Sequence, residues 1–284
     1  MEPNEWSDYS TVRNGGMRQN GMKRNEELCN ELAPRTASLC ITCRAGAFFL
    51  QISMLECVHI NPYEGAAPMI PLKRRGIILD MDNTILRSRI DFKQIKNEVY
   101  TLLVRAGIIE ADLPLHDFTA STLIEHARLS AKFTGETEQA VWTVVSELEQ
   151  AGMKDAGLEP GVVELLKQLQ QDFHLTILTN NSYTAAIQAL RTTGIEMYFD
   201  HVIGREQAVT MKPSPQGILH ILERYPHLSK EDWLSVGDAW IDGKAAMEAG
   251  IRFIAYQANQ PELERRGIVP LGHIDELHQL LHYL

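Results

Sequence analysis

Four short segments of this chain carry oxygen-bearing or cationic side chains at spacings that make chemistry possible. The first is Asp80-Met81-Asp82-Asn83-Thr84, which follows the apolar run Gly76-Ile77-Ile78-Leu79. That run reads as a buried parallel strand. In extended chain, residues i and i+2 face the same way, so Asp80 and Asp82 are brought to one side. Two carboxylates so placed repel each other unless positive charge lies between them, and a hard, oxygen-preferring cation such as Mg2+ supplies it. The second segment is Gly237-Asp238, with Asp242 one helical turn on. Asp238 is placed to bind a metal directly; Asp242 either holds it through water or orients a lysine. The third is Met211-Lys212-Pro213, where proline stiffens the loop that carries the lysine. A point charge there can hold a carboxylate and a phosphate oxygen together. The fourth is Thr179-Asn180-Asn181-Ser182, a hydroxyl and backbone N–H groups at a helix start, suited to an oxyanion or phosphate.

These segments need a scaffold that brings them together. Strands are expected at 76–80, 175–179, 201–203, 233–236 and 251–256. Helices with an apolar face are expected from Pro160, from Ser182 toward Gly194, over 214–225, up to Gly250, and over 274–281. Strands alternating with helices mean an α/β fold, a Rossmann-like parallel sheet with helices on both faces. Between the first strand and the second, residues 89–157 read as all-helical, with stripes at Phe92, Ile95 and Val99, at Leu123, Ile124 and Ala127, and at Val141, Val144 and Leu148. Asp80, Thr179 and Asp238 each end a strand, and ligands in open α/β sheets bind at the carboxyl ends of strands.

The ordered set Asp80-x-Asp82, Thr179-Asn180, Lys212-Pro213 and Gly237-Asp238 with Asp242 resembles the haloacid dehalogenase superfamily of hydrolases, and within it phosphoglycolate-phosphatase-like members. The resemblance covers roughly 73–284. It implies a core of 73–88 and 158–284, with 89–157 as a small helical cap inserted after the first strand. It implies that Asp80 is the nucleophile that becomes an aspartyl-phosphate. Asp82 would protonate the leaving alcohol and then deprotonate water. Thr179, the Asn180 amide and Lys212 would hold the phosphoryl group. Mg2+ would lie on the Asp80 carboxylate, the Asp82 main-chain carbonyl and Asp238, with Asp242 behind them. Many relatives have Gly where Asn83 stands, and often Ser where Ala239 stands. Asn is the next best residue for a left-handed turn. Dehalogenase members lack the second aspartate, so Asp82 favours a phosphate over a haloacid substrate. The expected activity is Mg2+-dependent hydrolysis of a small phosphorylated metabolite. The alternatives are a sugar-phosphate mutase, which would use the same aspartate pair, and a non-catalytic binding protein. A signalling receiver domain fits poorly, since its phospho-acceptor comes on a later strand.

Composition sets the outer bounds. The chain has 284 residues, 44% hydrophobic and 23% charged, which excludes collagen, a long coiled coil and a mostly disordered chain. Its 27 basic and 37 acidic residues give a net charge of −10, which argues against nucleic-acid or membrane partners. Residues 1–75 are nearly neutral, so the negative charge lies in the body. All four cysteines, Cys29, Cys40, Cys43 and Cys57, fall in that first quarter. One CxxC without a matching half-site, even with His59 nearby, reads as free thiols rather than zinc ligands. A cysteine-free body suits a reducing cytoplasm, as a monomer or homodimer. The apolar stretch 45–55 is too short to span a bilayer and too late for a signal peptide. Residues 1–72 are expected to be a poorly ordered or non-catalytic leader, with Met69 as the natural start. Arg128 and Lys132 are expected on one face of a cap helix at i,i+4, and they, Arg87, Arg89, Trp240 and the histidines mostly at solvated or packed positions.

Overall fold

The computed structural model describes residues 73–284; the leader, its cysteines, the 45–55 stretch and Met69 lie outside them. The chain opens on β1 (Arg75–Leu79), in which only Arg75 is exposed. Ile77 and Leu79 pack into one apolar cluster and Ile78 into another. Alternate side chains thus feed a core on each face of the sheet, as period two requires of a strand covered on both sides.

A two-residue strand β2 (Leu86–Arg87) follows, then α1 (Phe92–Arg105), α2 (Ala120–Arg128) and α3 (Gly135–Met153), and β3 (Gly157–Leu158). Asp91, Thr119 and Thr134 cap the three helices through their side chains. β2 and β3 pair antiparallel, Leu86 with Leu158 and Arg87 with Gly157, so both ends of the helical insert are tied at one point. Gly152 makes that crossing possible: a Cβ there would lie 2.5 Å from Ile90 Cα.

The core continues as α4 (Val162–Leu169), β4 (Phe173–Leu178), α5 (Tyr183–Thr192), β5 (His201–Ile203), α6 (Gln216–Glu223), β6 (Trp233–Gly237), α7 (Trp240–Ala249), β7 (Arg252–Tyr256), α8 (Gln260–Arg265) and β8 (Gly272–Ile274). The six long strands form one parallel sheet of order β5-β4-β1-β6-β7-β8. This is the Rossmann-like α/β architecture. The strand order reverses between β1 and β6, so a crevice opens at their carboxyl ends. Asp80 and Asp238 leave those two strands side by side.

Three local expectations need correction. Residues 274–281 do not form one helix: Ile274 ends β8 against Tyr256, and a 3-10 helix follows over Leu277–Tyr283. The apolar spacing there fits either element, and the free edge of β7 decides it. Pro160 lies two residues before α4, whose N-cap is Gly161 at φ 80°. Lys132 does not share a helix with Arg128; α2 stops at Arg128, and the lysine ammonium caps the Gly107 carbonyl at 3.0 Å. Among the described residues no helix is long and apolar enough to cross a membrane.

Candidate active site

β1 delivers Asp80, and the sheet ladder fixes it: its N–H donates to the Val236 carbonyl at 2.9 Å. The chain then turns sharply. Asn83 adopts φ 55°, the left-handed region in which Asn is tolerated best after Gly. Ile85 and Leu86 both donate back to the Met81 carbonyl. Met81 points into the core, fully buried, while Asp80 and Asp82 line one cavity. Thr84 Oγ1 donates to Asp80 Oδ2 at 3.3 Å.

Lys212 ties the strand ends together. Its Nζ donates to Asp80 Oδ1 at 2.5 Å, to Asp242 Oδ1 at 2.6 Å and to the Leu178 carbonyl at 2.8 Å. All three ammonium protons are used, and the side chain is 4% exposed. Burial works against its charge, but Asp242 and Asp80 outweigh that and hold Lys212 above its ordinary range. The Asn180 side chain clasps the Lys212 backbone from both sides: Oδ1 accepts from the lysine N–H at 2.8 Å and Nδ2 donates to its carbonyl at 2.9 Å. Asn180 therefore places the lysine, a role that its spacing did not reveal. Thr179 is buried, and its hydroxyl oxygen accepts from the Asn181 N–H at 3.1 Å.

Asn181 is the residue the sequence reading missed. Its Nδ2 donates to Asp82 Oδ2, across ninety-nine residues of chain. The other carboxylate oxygen, Asp82 Oδ1, is buried without a hydrogen-bond partner among the described residues. Burial raises the Asp82 carboxyl above the usual range, against the pull of the Asn181 amide.

At the end of β6, Gly237 permits a close approach: a Cβ there would lie 2.5 Å from Asp242 Cγ. Asp242 Oδ2 accepts from the Ala239 N–H at 3.0 Å, so both its oxygens are engaged. Burial pushes Asp80 up to about 7, with Lys212 pulling back and Asp242 and Asp82 adding to the rise. Asp238 is pushed up to about 8 by burial, then by Asp80 and Asp242. Four carboxylates thus face one ammonium. Carboxylate oxygens of Asp80, Asp238 and Asp242 lie within 4.8 Å of one another. This all-oxygen set, short of positive charge and with one orphaned carboxylate oxygen beside it, fits a hard divalent cation. Asp242 is held by Lys212 and Ala239, which would leave direct ligation to Asp238 and to Asp80, whose Oδ2 has only the longer Thr84 bond at 3.3 Å.

Above the strand ends lies a cavity of about 420 Å³. Asp80, Asp82, Asn180, Asp238 and Asp242 line its floor; Thr179 and Lys212 sit behind that floor. The insert supplies the roof. A buried ion pair helps to fasten roof to floor: Arg205, after β5, donates to both oxygens of Glu149 on α3 at 2.6 and 2.7 Å and to Ser146 Oγ at 3.0 Å. Its guanidinium also stacks on Trp142, 4.6 Å from the ring centroid.

Several of the remaining tempting residues have structural partners. Arg87 pairs with Glu159, and Arg128 with Glu125 and Glu138. Trp240 lines the cavity and carries Arg266 over its ring at 3.9 Å. His174 pairs with Asp200 at 2.7 Å, and His116 sits 3.6 Å from Asp117.

A parallel sheet of this order, with a carboxylate pair after its first strand and a lysine bridging Asp80 to Asp242, defines a class of α/β hydrolases. The comparisons supply its name. The family model for haloacid dehalogenase-like hydrolases matches residues 77–256, and the chain belongs to that family. It is 28% identical to a phosphoglycolate phosphatase of Nitrosospira multiformis over 70% of this chain and 93% of the relative. It is 27% identical to the phosphoglycolate phosphatase of Rhodobacter capsulatus over 64% of this chain and 83% of the relative. Among solved structures, a haloacid dehalogenase-like family hydrolase from Streptococcus pneumoniae superposes with a TM-score of 0.52 at 21% identity, over 74% of this chain and 98% of that one. The protein is an enzyme, a hydrolase of the phosphoglycolate-phosphatase-like kind.

Proposed function

We propose that the protein is a Mg2+-dependent phosphatase that hydrolyses a small phosphate monoester through an aspartyl-phosphate on Asp80. The observation that carries this reading is the fixed triangle of Asp80, Lys212 and Asp242 beside Asp82 on one cavity floor. Its relatives' phosphoglycolate phosphatase activity supports the phosphate monoester class.

Asp80 attacks phosphorus with its outer oxygen while Lys212 holds the other, so the carboxylate cannot swing away. Asp82, whose proton affinity burial raises, gives a proton to the leaving alkoxide. Asn181 holds Asp82 in line for that transfer. Asp82, now ionised, takes a proton from water, which attacks phosphorus and frees Asp80. The Thr179 hydroxyl and the Asn180 N–H steady the phosphoryl oxygens, and Lys212 offsets their charge. Asp80, the Asp82 main-chain carbonyl and Asp238 would hold Mg2+, which when bound would supply the positive charge that lets an anionic carboxylate meet an anionic phosphate. Residues 89–157 act as the cap that closes over the substrate and excludes bulk water.

The test is phosphate release from a panel of metabolite phosphates, with Mg2+ and with chelator. Release that disappears with chelator and returns with Mg2+ is expected. A folded protein that releases phosphate from no ester, or that moves phosphate between positions of a sugar without releasing it, would contradict the proposal.

A further inference from the structure

We infer that the alcohol half of the substrate is bulky and largely apolar, an aromatic or fused-ring alcohol rather than a two-carbon hydroxy acid. This rests on the phosphatase reading above and adds the substrate class. The cavity of about 420 Å³ falls within the range, roughly 300–1000 Å³, that encloses ligands much larger than glycolate. Its carboxylate floor takes the phosphoryl group. The rest is walled by Phe92, Ile95, Phe118, Ile124, Trp142 and Val145 from the helical insert.

The polar groups of that wall are already engaged. Glu149 is held by Arg205. Lys96 Nζ donates to the Leu115 and Phe118 carbonyls at 3.1 and 3.0 Å. Ser121 Oγ donates to the Lys212 carbonyl at 3.2 Å. Among the described residues, Lys93 is the one cation of this wall with no such bond, and it is exposed. A glycolate-sized alcohol would occupy a small part of the space, and among the described residues its carboxylate would find Lys93 as the one free cation of the wall, with carbon around the rest. A ring system would instead cover Phe92, which is 43% exposed as it stands, and meet the Phe118 and Trp142 rings.

The experiment compares alkyl esters whose alcohols differ in bulk more than in acidity: 2-phenylethyl phosphate, ethyl phosphate and phosphoglycolate, with the full chain and Mg2+. The expected kcat/KM is roughly tenfold or more higher for 2-phenylethyl phosphate than for either small ester. Trp142→Ala should bring that ratio toward one. Because this change also removes the stack on Arg205, Phe92→Ala gives a second reading: its side chain is already exposed, so truncation empties no core, and the ratio should fall severalfold. Equal or faster release from the small esters overturns the inference and leaves the phosphatase reading intact. Folded protein that releases phosphate neither from the three esters nor from any metabolite phosphate overturns both.

Discussion

At the strand end of the cavity, Asp80, Asp82, Asp238 and Asp242 crowd one ammonium; at the helical end, Phe92, Phe118 and Trp142 present carbon to the same space. At the first end Asp80, Asp242 and Lys212 are bonded through both oxygens or all three ammonium protons, often to a distant segment. The second end is held by packing and by a few polar ties, Arg205 on Glu149 and Ser121 on the Lys212 carbonyl among them. A shift of half an ångström at the strand end breaks charge-assisted bonds with directional geometry. The same shift at the helical end is absorbed by apolar contacts that have no preferred direction. One end therefore fixes the reaction, and the other selects what is brought to it.

The sharpest way to break this contrast is Asp80→Asn. Turnover should fall on the order of 10⁴-fold or more, while thermal stability holds or rises, because a buried carboxyl with a raised proton affinity is removed. A melting curve beside the rate assay checks both halves. Next is Lys212→Met. It leaves Asp80 and Asp242 buried without their cation, so roughly 3–5 kcal/mol of stability should be lost, read from denaturant unfolding. Activity should fall with it, on the order of 10²–10³-fold. If Lys212→Met folded as well as the parent, the ammonium would not be what binds the strand ends.

Asn181→Ala should act less strongly, roughly ten- to a hundredfold on kcat. Its amide favours ionised Asp82, so without it the Asp82 carboxyl should rise further, and the limb of the pH–rate profile set by that group should move to higher pH. A uniform loss with no shift of the limb would mean that Asn181 only fills space.

What was legible in the sequence follows the same division. Asp80, Asp82, Asp238 and Lys212 could be found because each follows a strand or precedes a proline, so local pattern alone puts them at one sheet edge. Asn181 on Asp82 and Arg205 on Glu149 join positions ninety-nine and fifty-six residues apart, with no shared motif to link them. Only the sheet order and the tie between β2 and β3 bring them together. Asn180 was singled out for its backbone N–H, but its side chain is what clasps Lys212, since one sequence position carries both groups and spacing cannot separate them. The cavity wall was unreadable for another reason: Phe92, Ile95 and Ile124 carry the apolar stripe that any packed helix has. The stripe does not say which part of it faces space.

The smallest expected effect concerns proton linkage. Asp80 and Asp238 are raised to about 7 and about 8 in the fold, above their unfolded values, so folding takes up protons. In chelator, stability should therefore be greatest at acid pH above the general acid-unfolding range. It should fall as pH rises through 7 to 8, by a few degrees in Tm. Millimolar Mg2+ should abolish or reverse that slope, because a bound cation replaces the protons.

The account's central claim is that carboxylate 80 is transiently esterified, and chemical trapping tests it most directly. Borohydride added during turnover reduces an aspartyl-phosphate to homoserine, which peptide mass spectrometry locates. The expected result is conversion at Asp80 alone, dependent on substrate and on Mg2+. Steady phosphate release with no conversion at Asp80, or conversion at Asp82 or Asp238 instead, would contradict it.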